Sequence, residues 1–287
     1  MGRFLTLYDR IFRRFMKNGH ARSIKASKNI FASFVIKGMS ILLGFLLVPL
    51  TLEYLDPTRY GIWLTLSSFL TWFAFFEIGL GNGLRNKLAE ALARKNYELG
   101  KIYVSTTYAI LAVISGAVCI LFFVVNPFIN WSVILNTEEE LANDLTLLAY
   151  IVFGFFFLTF VIKLVGTVLV ADQRPAINNV FGPLGNLIAL IVIFILTKTT
   201  EGSLVYLGLT LSISPVLILV IASIYFYNHD YKKVAPSIRH VNFKYARNLL
   251  GLGIKFFLIQ VSGVIILHTG NIIITQFFGP AEVTPYN

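Results

Sequence analysis

The chain has 287 residues, of which 56% are hydrophobic and only 13% charged, with a formal net charge of +10. Apolar residues in that proportion, gathered into long uninterrupted runs, exclude an ordinary soluble domain and indicate an all-α, polytopic membrane helix bundle. The basic excess lies between the runs, where it orients helices, so no nucleic-acid partner is expected; a single cysteine, Cys119, excludes an internal disulfide framework and any multi-thiolate metal site.

The first element in chain order is residues 1–28, where Phe4, Leu7, Tyr8, Ile11 and Phe15 recur at helical spacing among Arg10, Arg13, Arg14 and Lys17. Such a basic amphipathic segment suits the surface of an anionic leaflet. It is not a signal peptide, because the apolar run behind it is too long and lacks a small-residue cleavage site. Seven runs of about twenty apolar residues follow, the length that about 30 Å of hydrocarbon requires. They are 29–52, 60–79, 102–126, 145–170, 176–197, 204–227 and 249–276.

The connections between these spans alternate in charge. One set holds Arg85, Lys87, Arg94, Lys95, Lys101, Arg174, Lys232, Lys233, Arg239, Lys244 and Arg247. The other holds only Arg59 and Lys198 and includes the acidic stretch "NTEEELAND". The positive-inside rule then predicts a cytoplasmic N-terminus and short outer loops.

Three spans carry a lysine: Lys37, Lys163 and Lys255. At 1.5 Å rise per residue all three lie roughly 10 to 14 Å from the cytoplasmic end of their span. Lys37 falls among Ser33, Ser40, Gly44 and Thr51 on a helical wheel, Lys163 among Thr159, Gly166 and Thr167, and Lys255 among Gly251, Ser262 and Thr269. A lysine at such depth can do no more than stretch its stem to the interface. Three at one depth, each on a small polar stripe, point instead to a shared wet cavity, where like charges need an anion between them. Phosphate is the natural guest.

The second span ends on an acid, Glu77, followed by a Gly-rich turn with Asn82 and a basic amphipathic stretch, in "FFEIGLGNGLRNKLAEALARKN" at 75–96. Alone, "GLGNG" is a weak phosphate-loop signal, since no strand precedes it and no Gly-Lys-Ser/Thr follows. Asn178, Asn179 and Asn186 surround "GPLG" on the fifth span, with amides suited to sugar hydroxyls or to hydrogen bonds between helices. Gln260, His268 and Asn271 make the other side of the seventh span polar as well. An internal echo joins "KNIFASFVIKG" in the first span to "RNLLGLGIKFF" in the seventh, as parallel six-helix repeats would.

Together with "PLTLEYLDPTRYGIWLTLSSF" before it, and "GIKFFLIQVSGVI" and "FFGPAEVTPYN" later, the 75–96 stretch resembles the polysaccharide flippases of the Wzx type. These share a superfamily with lipid II flippases and the multidrug and toxic compound extrusion transporters. The resemblance implies two six-helix lobes that open alternately to either side around a cationic cavity, without a cofactor and driven by a proton or sodium gradient. On that reading residues 29–227 form the first lobe, 228–248 a cytoplasmic linker and 249–287 the first helix of a second lobe, so the sequence is expected to be a fragment of a transporter of twelve or more spans. The implied substrate is an undecaprenyl-diphosphate-linked oligosaccharide, an O-antigen or exopolysaccharide repeat unit. The implied setting is a bacterial or archaeal cytoplasmic membrane, with polysaccharide polymerase and chain-length proteins as further partners.

Lys37, Lys163, Lys255 and Arg85 are then the expected holders of the diphosphate. Asn178, Asn186, Gln260 and Asn271 are the expected sugar contacts, and Glu77 the expected coupling acid. A small-cation extruder would want acids in the cavity and few cations. An oligosaccharide polymerase or ligase would want an outer loop with catalytic Arg, His or carboxylates, yet the longest outer loop, 127–144, has no Arg, Lys or His. His20, His229 and His240 have neither metal-ligand spacing nor a nucleophile partner. The expectation is a transporter and not an enzyme.

Overall fold

The fold rests on a computed structural model that describes residues 21–74, 80–246, 249 and 269–286. Among these residues the regular structure is helical throughout. Helix α1 is Ala21–Tyr54, α2 Pro57–Ala74, α3 Leu80–Ala93 and α4 Tyr97–Val125. They are followed by α5 at Ala142–Ile162, α6 at Leu164–Ala171, α7 at Pro175–Thr199, α8 at Leu204–Asn228 and α9 at 269–278. Among the described residues five stretches are long and apolar enough to cross a membrane: Phe31–Tyr54, Tyr97–Phe128, Glu139–Ala171, Pro175–Thr199 and Leu204–Asn228. The chain is a multi-pass membrane protein.

Two departures from the sequence reading, in the fourth span and before the basic stretch, have local causes. The expected second span is a helix, α2, over its described part, with Thr65, Ser67 and Ser68 in its middle, and its last residues, 75–79, lie outside the described residues. Each of those hydroxyls donates to a backbone carbonyl one turn back, Gly61, Trp63 and Leu64 respectively, which removes the cost of burying it. The expected fourth span is two helices, α5 and α6, broken at Lys163. The Gly-rich turn expected before the basic stretch is already helix from Leu80 onward, and Gly83 serves packing: a Cβ there would collide with the carbonyl of Leu249.

The chain reverses tightly where non-glycine residues accept the left-handed region. Lys95, Asn136 and Gln173 have φ of 55°, 49° and 60°. Around each, the next amide reaches back five residues: Asn96 to the Ala91 carbonyl, Thr137 to Ser132 and Arg174 to Leu169. These bonds satisfy carbonyls that a helix end leaves open. Side chains cap the starts that follow. Asn96 accepts from the Leu99 amide, Asn130 from Val133 and Ser203 from Tyr206.

Two apolar cores stack along the bundle. One gathers Leu84, Leu88, Leu111, Phe160, Leu164, Leu169, Phe226 and Leu249. The other gathers Ile62, Leu66, Trp131, Leu148, Phe153, Phe157, Ile193 and Leu207, with Phe122 stacked on Phe153 at 4.3 Å between ring centres. Alternate connections meet beyond each core. At one end Arg59 donates to the Gly202 carbonyl at 2.9 Å, Gln276 to that of Ile134 at 2.5 Å and Thr284 to that of Pro57 at 2.7 Å. At the other, Tyr231 donates to Asp172 at 2.9 Å and Val234 packs 3.1 Å from where a Cβ on Gly100 would sit. The first end carries Glu53, Asp56, Glu138, Glu139, Glu140, Asp144, Glu201 and Glu282; the second carries Arg85, Lys87, Arg94, Lys95, Lys101, Arg174, Lys232, Lys233, Arg239 and Lys244. The molecule is therefore polarised along its axis.

Candidate functional site

Helix α1 packs along α7 through Ser33, whose hydroxyl accepts a hydrogen bond from the Asn179 amide at 3.3 Å. Ser40 and Gly44 are half-buried and Thr51 is buried, so the small polar stripe lies on the packed side. Lys37 stands at its edge and is exposed, in company with Phe34, Val35, Met39 and Ile41. Among the described residues it has no ion-pair partner.

Lys163 occupies the break between α5 and α6 and is half-buried. Its amide still bonds the Thr159 carbonyl, but the Gly166 amide bonds the Lys163 carbonyl, a tightened turn. The ammonium sits 4.6 Å from the centre of the Phe160 ring. Burial makes such a cation–π contact stronger than it would be in water. One turn on, Gly166 faces the side-chain oxygen of Asn178, which occupies the space a Cβ would need. Asn178 thus abuts α6 while its neighbour Asn179 reaches α1, and α7 lies between the two lysine-bearing elements. Asn186, half-buried on the same helix, follows Pro183 and Gly185, the latter closely packed on Pro215 of α8. Arg85 is exposed on α3, opposite the buried face formed by Leu84, Leu88 and Ala91.

Asn271 belongs to a polar seam between α9 and α2. It donates to the Ser68 hydroxyl at 2.8 Å, and one turn later the Thr275 and Thr65 hydroxyls share a hydrogen bond of 2.6 Å. Asn136 donates to the Thr275 carbonyl at 3.1 Å. Beyond α9, Gly279 turns the chain at φ 91°, and Pro280 then lies so close to Gly61 that a Cβ on Gly61 would strike its carbonyl. Lys255, Gln260 and Glu77 lie outside the described residues.

Two groups of polar residues escaped the sequence reading. Thr65, Ser68 and Thr275 carry no local signal, since a partner two hundred residues away leaves no pattern in the sequence. At the basic end Arg174 pairs with Asp230 at 2.5 Å and with Asp172 at 3.0 Å, its guanidinium 5.8 Å from the Tyr231 ring centre. The hydrogen bond that Arg174 donates to Asp230 holds its pKa above its ordinary value, against a smaller desolvation effect. Burial, then the hydrogen bond to Asp172, pushes that of the Tyr231 phenol up. This cluster ties the α6–α7 turn to the end of α8, and about a third of each charged side chain remains exposed, so it positions backbone and adds little stability.

The family model described as "Polysaccharide biosynthesis protein" matches residues 26–287. The chain belongs to that family. A Salmonella typhi protein carrying the name of an O-antigen transporter is 25% identical over 265 residues, which is 92% of this chain and 58% of that protein. A Yersinia pseudotuberculosis protein carrying the name of an O-antigen export protein is 24% identical over 257 residues, 87% of this chain and 56% of that one. This family member therefore spans a little over half the length of the curated relatives it matches. Among solved structures, an inward-facing multidrug resistance MATE family transporter of the MOP superfamily superimposes with a TM-score of 0.70 at 14% identity, over 88% of this chain and 59% of that one. An outward-facing one gives 0.68 at 13%, over 92% and 57%. Identity that low shows a shared fold alone, and the two scores are too close to assign the fold to either conformation.

Proposed function

We propose that this family member acts in a flippase that carries undecaprenyl-diphosphate-linked oligosaccharide repeat units from the cytoplasmic to the outer leaflet of a prokaryotic inner membrane. The observation that carries the reading is the presence of ammonium groups in apolar spans of a polysaccharide-biosynthesis protein. Lys37 stands exposed on α1 and Lys163 at the break in the α5–α6 span, with α7 between those elements. A lysine at the centre of a spanning helix costs about 2.5 to 3.5 kcal/mol on insertion scales, so its retention asks for a use. Lysines meet a diphosphate as mobile point charges, strongly enough to bind it and weakly enough to release it, where paired Arg forks would hold it in a fixed geometry.

On this proposal the basic end faces the cytoplasm. Lys37, Lys163 and Lys255 receive the diphosphate, with Arg85 at the inner mouth. Asn178, Asn186, Gln260 and Asn271 meet the first sugars as the spans rearrange. Glu77 exchanges a proton or sodium ion as the coupling acid. The names of the Salmonella and Yersinia relatives support polysaccharide cargo, and also a transport role in place of an enzymatic one. The likeness to multidrug transporters supports the fold and supplies no argument for drug cargo.

The test is to place Lys37→Gln together with Lys255→Gln in the native gene. Insertion and protein level should be unchanged, and lipid-linked repeat units should accumulate on the inner leaflet. Surface polysaccharide should fall at least tenfold, since each lost charge-assisted hydrogen bond is worth about 1.5 to 3 kcal/mol. Full surface polysaccharide from the double variant would reject the diphosphate site.

A further inference from the structure

We infer that the connection after α8, residues 231–246, is a docking surface for anionic phospholipid. Its backbone is fixed to the flank of α4. The Ser237 amide donates to Ser105 Oγ at 3.0 Å, and the Asn242 amide donates to Thr106 Oγ1 at 3.0 Å. Thr106 in turn donates to the Asn242 carbonyl at 3.4 Å. Tyr245 sets its ring edge-on to Tyr103 at 5.5 Å, and Tyr231 and Val234 are buried in the neighbouring core.

Those contacts fix the depth. The apolar stretch of α4 begins at about residue 102, so Ser105 and Thr106 lie only about 5 Å inside it at 1.5 Å per residue. Residues 237–242 therefore run at the level where headgroups give way to acyl chains and not out in bulk water. At that level the segment turns outward an isoleucine, Ile238, that is 93% exposed, and a phenylalanine, Phe243, that is 61% exposed. Each is followed by an exposed base, Arg239 and Lys244, and Lys232 and Lys233 are exposed just before them. The stretch 231–246 contains no acid, and the acid before it, Asp230, is engaged by Arg174.

Apolar tips at acyl depth beside exposed cations match the two-layered chemistry of an anionic leaflet: Ile238 and Phe243 enter the hydrocarbon edge, and the bases meet phosphates. Each base near such a surface is worth about a fivefold preference for anionic over neutral lipid, so four give a strong one. The surface is distinct from the lysine-bearing spans and holds whatever the transported molecule is.

The experiment attaches an environment-sensitive fluorophore to Ile238→Cys in a Cys119→Ala chain, reconstituted in nanodiscs of mixed phosphatidylglycerol and phosphatidylcholine in which only one of the two lipids carries brominated acyl chains. Brominated phosphatidylglycerol should quench the label strongly and brominated phosphatidylcholine weakly, and Arg239→Gln with Lys244→Gln should cut that preference about tenfold or more. In parallel, native mass spectrometry of the unlabelled chain should show more retained phosphatidylglycerol than in the double-Gln variant. No quenching by either lipid, as when protein covers this face, would overturn the inference. So would equal quenching by both lipids, or unchanged lipid retention in the variant.

Discussion

A half-buried ammonium needs something to face, and at Lys163 part of that is the ring of Phe160. The contact is worth about 0.5 to 2 kcal/mol, well short of what anion binding would supply, so it parks the charge without neutralising it. Lys163→Met should accordingly leave thermal unfolding of the purified protein within about 2 kcal/mol of native while transport is lost. Retention of transport in a folded Met variant would remove Lys163 from the site. That Lys37 and Lys163 fall within long apolar stretches was legible. Which way each side chain faces was not: Ser33 turns to Asn179 of α7 while Lys37, only slightly round the wheel from it, is exposed. At the basic end, Tyr231→Phe removes the hydroxyl donated to Asp172 and should cost about 1 kcal/mol. Because folding raises this phenol's pKa, its protonated form is the one the fold favours. The stabilisation is present below its ordinary value of 10.0 and is lost as pH rises further. Melting curves of native and variant protein should keep a constant gap up to about pH 9 and converge above about pH 10.

Among elements, the seam of α9 on α2 is the contact most suited to opening. Its bonds join hydroxyls and amides, Thr65 to Thr275 and Ser68 to Asn271, which water can satisfy when they part. If the lobes of a flippase separate at this end, a Thr65→Cys, Thr275→Cys pair, oxidised in the membrane, should stop transport and recover it on reduction. Unchanged transport with the disulfide formed would make the seam a fixed weld. The close fit of Gly61 under Pro280 gives a steric counterpart, because Gly61→Ala adds a methyl where a backbone carbonyl stands. That variant should lose about 1 to 3 kcal/mol of stability, read as a lower melting temperature in detergent. Hydropathy found α1, α4, α7 and α8 at nearly their observed bounds. It could not foresee the break at Lys163, where the Gly166 amide turns to the Lys163 carbonyl, nor the hydroxyl bonds of α2, whose partners are the helix's own carbonyls and a residue far along the chain.

For the whole molecule, charge and topology agree. The alternating basic and acidic connections in the sequence are the two ends of the folded bundle, joined by contacts such as Arg59 to Gly202 at one end and Tyr231 to Asp172 at the other. That much was legible because insertion sorts loops by charge, a property carried by single residues. On the proposed reading the meeting of lysines from different spans would be a property of an assembled transporter, which no single residue carries. The most direct test reconstitutes the protein from its native gene into proteoliposomes loaded with a fluorescent undecaprenyl-diphosphate oligosaccharide and follows, with an external lectin, the units that cross. The account predicts transfer by the native protein and a loss on the order of a hundredfold or more when Lys37 and Lys255 are both Gln, with the fold intact. Equal transfer by native and double-Gln proteins would contradict it.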